Sequence, residues 1–141
     1  MRRAVSSEGG FVATELALGI GVLLLPVVVV VLTISAWSER QTTARAIARE
    51  VGRAVARDGW CNTILANGLA GMMGANLGLA PADMHVELDC APNAALAPGS
   101  DVQVSVSVRM PAVHLPALGS VGEWGWTARH RQPVDRYGSA R

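Results

Sequence analysis

The stretch that decides the fold is residues 9–38, which read GGFVATELALGIGVLLLPVVVVVLTISAWS. No charged residue follows Glu15 within this stretch. Residues 16–38 would form a helix about 34 Å long, which is enough to cross a hydrocarbon core of about 30 Å. The valines after Pro26 suit such a helix, because lipid offers the backbone no alternative hydrogen-bond partner. We therefore predict a transmembrane helix over residues 11–38, with Trp37 at the membrane interface.

Glu15 requires an explanation, because a carboxylate near the end of a membrane helix costs about 2 to 3 kcal/mol. On a helix it shares a face with Phe11, about 6 Å away. If the peptide bond after Gly10 were cut, the new ammonium of Phe11 could pair with Glu15 in its own or an adjacent chain. An ordinary cleaved secretory signal is the competing interpretation, but the apolar run is too long for one and ends in a poor cleavage site.

Residues 39–58 predict an amphipathic helix that continues the line of the first and ends at Gly59. Its apolar positions recur at three- and four-residue steps: Ala44, Ile47, Ala48, Val51, Ala54 and Val55. Four arginines at four-residue steps form a basic ridge: Arg45, Arg49, Arg53 and Arg57. This ridge is either a solvated face or a contact surface for anionic lipid headgroups or an acidic neighbouring subunit.

Residues 59–131 predict a small α+β domain. A weaker helical pattern covers residues 61–77, where three glycines interrupt the apolar spacing. Residues 84–90, 102–110 and 124–131 alternate with a period of two, which predicts three antiparallel strands. The predicted fold is therefore α+β, with a long N-terminal helix, a short second helix and a small antiparallel sheet. The polar residues 132–141 predict a flexible tail.

Composition and motifs argue against several function classes. The chain carries 12 basic and 11 acidic residues and a formal charge of +1, which does not favour nucleic acid as a partner. Hydrolase, zinc-protease and phosphate-loop motifs are missing. His85, His114 and His130 lack the spacing of a zinc site. We expect no enzyme activity, no metal and no cofactor.

The N-terminal features together resemble a class III signal peptide of the type IV pilin kind. These features are a basic leader over residues 1–10, an apolar Phe11 after Gly10, Glu15 as the fifth residue beyond the cut, and an unbroken apolar helix. The remainder is similar to the TadE-like pseudopilins of tight-adherence (Tad) pilus systems. That match is carried by the Arg/Ala-rich helix, by two cysteines around a second helical segment, by the alternating valines and by residues 108–119, VRMPAVHLPALG.

The resemblance implies that a prepilin peptidase cuts between Gly10 and Phe11, and that Glu15 registers the subunit among neighbouring helices. The chain would act as a minor pilin-like structural subunit in pilus assembly. Its partners would be the peptidase, other pilin or pseudopilin subunits, Tad assembly platform proteins and membrane lipids. It would cross the bacterial cytoplasmic membrane once, with the N-terminus cytoplasmic and the domain outside, and incorporation into a surface pilus stays open.

Cys61 and Cys90 are an even pair in a chain whose domain would be exported, which predicts a disulfide. Such a bond would stabilise the domain by about 3 to 4 kcal/mol. Two free buried thiols are the alternative.

The count of arginines on either side of the span would instead leave the domain in the cytoplasm. A single-pass anchored binding module with no processing or pilus role is the main alternative function, and an anchored enzyme is the third.

Overall fold

A computed structural model of the chain describes residues 9–115, 119–121 and 124–135, with the backbone alone for residues 9–13, 113–115 and 120–121. The fold is α+β, as predicted. The elements in chain order are helix α1 (Gly9–Asp58), helix α2 (Thr63–Asn76), a short 3-10 turn (Pro81–Asp83), and strands β1 (Met84–Leu88), β2 (Asp101–Arg109), β3 (Val113–Leu115), β4 (Gly119–Val121) and β5 (Gly125–Pro133).

Helix α1 is one continuous helix of 50 residues that contains both predicted helical segments. At 1.5 Å per residue it is about 75 Å long, so about half of its length extends beyond the part that could span a membrane. Pro26 lies inside the apolar half. The helix ends at Asp58 because Gly59 adopts a left-handed conformation, with φ of 72°, that other residues disfavour.

The second half of α1 forms the centre of the hydrophobic core. The predicted apolar face is confirmed, because five of its residues are completely buried: Ala44, Ile47, Ala48, Val51 and Val55. They pack against β2 and β5, where every second residue of β2 from Val102 to Val108 is buried. Gly52 lies at the closest approach, because a Cβ atom added there would be 3.2 Å from His130 and 3.3 Å from Gln132.

The main sheet has the order β1-β2-β5 and is antiparallel throughout, as expected from the three alternating runs. One face packs against the helices, and Val86, Val106 and Ala128 align across it. The opposite face carries polar residues, and a hydrogen bond of 2.9 Å links Ser107 and Thr127 there. Helix α1 packs on β2 and β5, whereas α2 packs on α1 and β1.

Helix α2 buries its small residues. Asn62 caps its N-terminus by accepting a hydrogen bond from the Leu65 amide at 3.0 Å. The buried positions are Ala66, Ala70 and Gly74, which allow a close approach to α1 and β1. The large residues that suggested a helix here lie mainly outside, and Ile64 is 82% exposed.

Two features differ from the sequence-based expectation. A hairpin of β3 and β4 was not predicted, because three-residue strands contain too few alternations to show a period. The flexible tail predicted from residue 132 is wrong at its start, because Gln132 and Pro133 pair with Val102 and Asp101 in the sheet. Val134 is also buried, and residues 136–141 lie outside the described part of the chain.

Candidate functional site

The apolar half of α1 is exposed along its length. It is the one helix within the described residues that is long and apolar enough to cross a membrane, and its most apolar window has no buried residue. Leu18 and Leu23, for example, are about 70% exposed (71% and 69%). The described part of the domain leaves this aliphatic surface uncovered, and a surface of this size suits burial in lipid or against another helix.

Glu15 lies at one end of an apolar groove on this helix. The groove has a volume of 540 Å³ and is lined by Glu15, Leu16, Gly19, Ile20, Leu23 and Leu24. These positions are three adjacent pairs that recur every four residues, and they form one stripe along α1. Gly19 opens the groove, because it has no side chain, and no atom lies within 4 Å of the position of a Cβ there. Small residues of this kind allow two membrane helices to approach closely.

The predicted processing residues lie at the start of α1. Gly10 and Phe11 fall in its first turn, so the Gly10–Phe11 bond is one turn before Glu15. The side chain of Phe11 and residues 1–8 of the predicted leader lie outside the described part of the chain. Placement of the backbone is compatible with the predicted pairing of a new N-terminal ammonium with Glu15.

The domain is fastened to α1 directly above the apolar half. The indole Nε1 of Trp37 donates a hydrogen bond of 3.1 Å to the carbonyl oxygen of Pro111. The ring of Trp37 also meets that of Trp124 edge-on, with centroids 5.5 Å apart. One turn later, Arg40 donates to the carbonyl oxygen of Arg109 at 2.6 Å and lies 3.6 Å from the Asp83 carboxylate. These contacts of Trp37 and Arg40 join the domain to the helix where the predicted span ends.

The four arginines of the predicted ridge have different surroundings. The guanidinium of Arg45 stacks over the Trp126 ring, 5.0 Å from its centroid. Arg53 pairs with Glu50 at 3.5 Å in an exposed contact, and Arg57 lies in the last turn of α1. Arg45 and Arg49 converge with Arg129 and His130 of β5 on a groove of 330 Å³.

Sequence reasoning did not associate these two β5 residues with the ridge. The alternating pattern of β5 indicated which residues share a face, but helix and strand are about 80 positions apart, and no local period connects them. The structure thus assembles a basic groove from two segments that were each predicted separately.

The predicted disulfide is confirmed between Cys61 and Cys90, whose Cα atoms are 6.0 Å apart. It joins the residue two positions before α2 to the second residue after β1. The bond closes a loop across 29 positions, for which chain entropy gives about 3 to 4 kcal/mol of stabilisation.

Side chains that could support metal chemistry are dispersed over the described part of the chain. No three His, Cys, Asp or Glu residues come together there as a metal site would require. The two most distinctive arrangements are therefore the groove beside Glu15 and the basic groove between α1 and β5.

Comparison with known proteins gives no match to a family model, to a curated protein or to a solved structure.

Proposed function

We propose that this chain is a pilin-like structural subunit of the TadE-like pseudopilin kind, which takes part in the assembly of a Tad or type IV pilus. A prepilin peptidase removes the leader after Gly10, and the mature chain acts through contacts with other subunits and with the assembly platform. Its work is mechanical and structural, with no chemical reaction of its own.

The observation that carries this proposal is the stripe on α1 that begins at Glu15. A groove opened by Gly19 and lined by leucine and isoleucine suits the side of a second membrane helix. A carboxylate at the end of that groove would lie where two packed helices begin. Packing of neighbouring helices is therefore the function that this surface supports best.

The charge of Glu15 gives the packing its register. An isolated carboxylate in the membrane is costly, but a cation held next to it removes much of that cost. Cleavage after Gly10 creates such a cation on Phe11. A neighbouring helix shifted along the groove would separate the two charges, so the aligned arrangement is favoured over its alternatives.

The disulfide supports export of the domain. Disulfides persist in oxidising compartments outside the cytoplasm and are rare within it. The arginine count after the span argues for the opposite topology, but charge counts lose force when a whole folded domain follows the span. Arg40 and Arg45 are also engaged by the domain itself. We therefore propose that the N-terminus faces the cytoplasm and the domain lies outside.

The mature N-terminus tests this proposal. Mass spectrometry of the chain purified from membranes of cells that contain a prepilin peptidase should show Phe11 as the first residue. Gly10→Leu should block the cut, whereas the same change at Gly21, inside the span, should leave it unaffected. An N-terminus at Met1 in the unsubstituted chain would refute processing and favour the anchored binding module, and a cut near residue 36 would indicate an ordinary secretory signal.

A further inference from the structure

The basic groove between α1 and β5 has the composition of a carboxylate-binding surface. Arg45 and Arg49 line it from the helix, and Arg129 and His130 line it from the strand. Within the described residues, neither Arg49 nor Arg129 forms an ion pair with an acidic side chain of the same chain. Arginine suits carboxylate binding because its guanidinium presents paired donors in a fixed plane.

The height of the groove disfavours lipid headgroups as its occupant. Arg45 and Arg49 lie about 10 and 16 Å beyond Ser38 along the helix, at 1.5 Å per residue. The headgroup layer extends only about 5 to 8 Å beyond the hydrocarbon core. Of the arginines on this helix, Arg40 alone lies within that layer, and it is bound to Arg109 and Asp83. The groove therefore faces the space in which a neighbouring domain would stand.

The opposite flank of the same domain is acidic. Glu87 on β1 and Asp89 just after it are both exposed. The carboxylate of Glu87 lies 3.3 Å from the imidazole of His85, and both side chains are 71% accessible. The sheet register aligns Glu87 with Ser105 and Ser105 with Arg129, so acid and base stand at opposite ends of one row. The next row is similar, since Asp89 bonds to the backbone of Gln103, which pairs with Arg131.

These rows lie at one height above the membrane, because β5 runs alongside α1. Contacts advance together along both elements: Trp37 meets Trp124, and Gly52 faces His130 and Gln132. Between these two contacts the helix advances about 22 Å and the strand about 23 Å. The acidic flank of one copy and the basic groove of another, anchored in the same membrane with the same orientation, thus meet at the same level.

We propose that the basic groove binds Glu87 and Asp89 of a second copy of this chain, in a head-to-tail contact. Each copy carries its acidic flank and its basic groove at opposite edges of its sheet, β1 and β5, so the contact is heterologous and can extend through several copies. This inference rests on the proposed function, because it identifies a second copy as the neighbouring subunit.

Substitutions that reverse the side-chain charges test the contact in the full chain reconstituted in phosphatidylcholine liposomes. Energy transfer between donor- and acceptor-labelled copies, followed as lipid is added, measures their association. Glu87→Arg with Asp89→Arg makes both flanks basic, and Arg49→Glu with Arg129→Glu makes both flanks acidic. Each double variant should associate with itself about tenfold more weakly than the unsubstituted chain, because like charges would face each other.

An equimolar mixture of the two double variants should regain the association of the unsubstituted chain, which a folding defect in either could not produce. Arg57→Glu, a single reversal of the same kind at an exposed position in the last turn of α1, should have little effect. Undiminished association of both double variants, or a mixture that fails to regain association, would overturn the proposal. A second outcome would assign the groove to lipid and also overturn the proposal. In that case spin-labelled phosphatidylglycerol would be enriched around the protein, and the enrichment would be lost only when Arg49 and Arg129 are changed.

The liposome measurement does not depend on leader cleavage. Charge-dependent association together with an uncut Met1 in cells would refute the proposed function and leave the head-to-tail contact standing. Cleavage at Phe11 with charge-independent association would refute the contact and leave the proposed function standing.

Discussion

Gly52 marks a point at which the helix and the sheet lie so close that a Cβ atom would be tightly packed against the strands. A Cβ atom there would be 3.2 Å from Cδ2 of His130, 3.3 Å from Cβ of Gln132 and 3.5 Å from a methyl group of Val104. The His130 ring can move, but Cβ of Gln132 is fixed to the strand. Replacement of Gly52 by valine would therefore push α1 away from β5.

The expected cost follows from two opposing terms. Overpacking of a well-filled core costs about 1 to 3 kcal/mol. Valine favours a helix over glycine by a few tenths of a kcal/mol, which offsets only a small part. We expect Gly52→Val to lower the free energy of unfolding by about 2 kcal/mol. For a folded unit of about 100 residues, this corresponds to a fall in Tm of about 8 to 16 °C.

Thermal unfolding of the full chain in detergent micelles, followed by tryptophan fluorescence, measures this change. Gly68→Val in α2 is the matched control, because no atom lies within 4 Å of a Cβ at Gly68. The control should keep or slightly raise the Tm. Equal stability of the two variants would refute the packing of α1 directly on the sheet.

Three further changes test other contacts. Replacement of Cys61 and Cys90 by serine should lower the free energy of unfolding by about 3 to 4 kcal/mol, and a reducing agent should reproduce the fall in Tm in the unsubstituted chain; a thermal transition insensitive to reduction would contradict a structural disulfide. Trp37→Phe removes the hydrogen bond to Pro111 and should cost about 1 kcal/mol in the same unfolding measurement, and an unchanged Tm would exclude a role for this bond. Glu15→Gln should leave domain stability unchanged but reduce co-isolation with other pilin subunits from membranes, because a neutral amide cannot pair with an ammonium; undiminished co-isolation would remove the registering role of the charge.

The main elements of the fold were predictable because they have clear periods. The apolar positions from Ala44 to Val55 follow the helical repeat, and five of the six are buried in the core, whereas Ala54 is half-buried. The alternating valines of β2 indicated a half-buried strand, and the structure buries four of them. In both cases the pattern records which side faces the core, which is a local property of the chain.

The contacts that fix the domain on the helix could not be predicted in this way. Trp37 suggested a membrane interface, and its hydrogen bond to Pro111 joins residues 74 positions apart. The convergence of Arg49 and Arg129 likewise depends on how α1 crosses the sheet. Side-chain contacts of this kind follow from the packing of whole elements, which one sequence does not encode as a local pattern. Such contacts form both the joint and the basic groove.

The continuity of α1 connects its two candidate surfaces. At about 100° per residue around an ideal straight helix, the centre of the six-residue groove from Glu15 to Leu24 and the centre of the Arg45–Arg49 pair lie about 50° apart. A second helix packed into the membrane groove would therefore carry its domain to the side on which the arginines lie. Because Trp37 and Arg40 fasten each domain to its own helix, rotation between the two levels is restricted. Register set by Glu15 in the membrane would thus also select which flank of the neighbouring domain meets the basic groove.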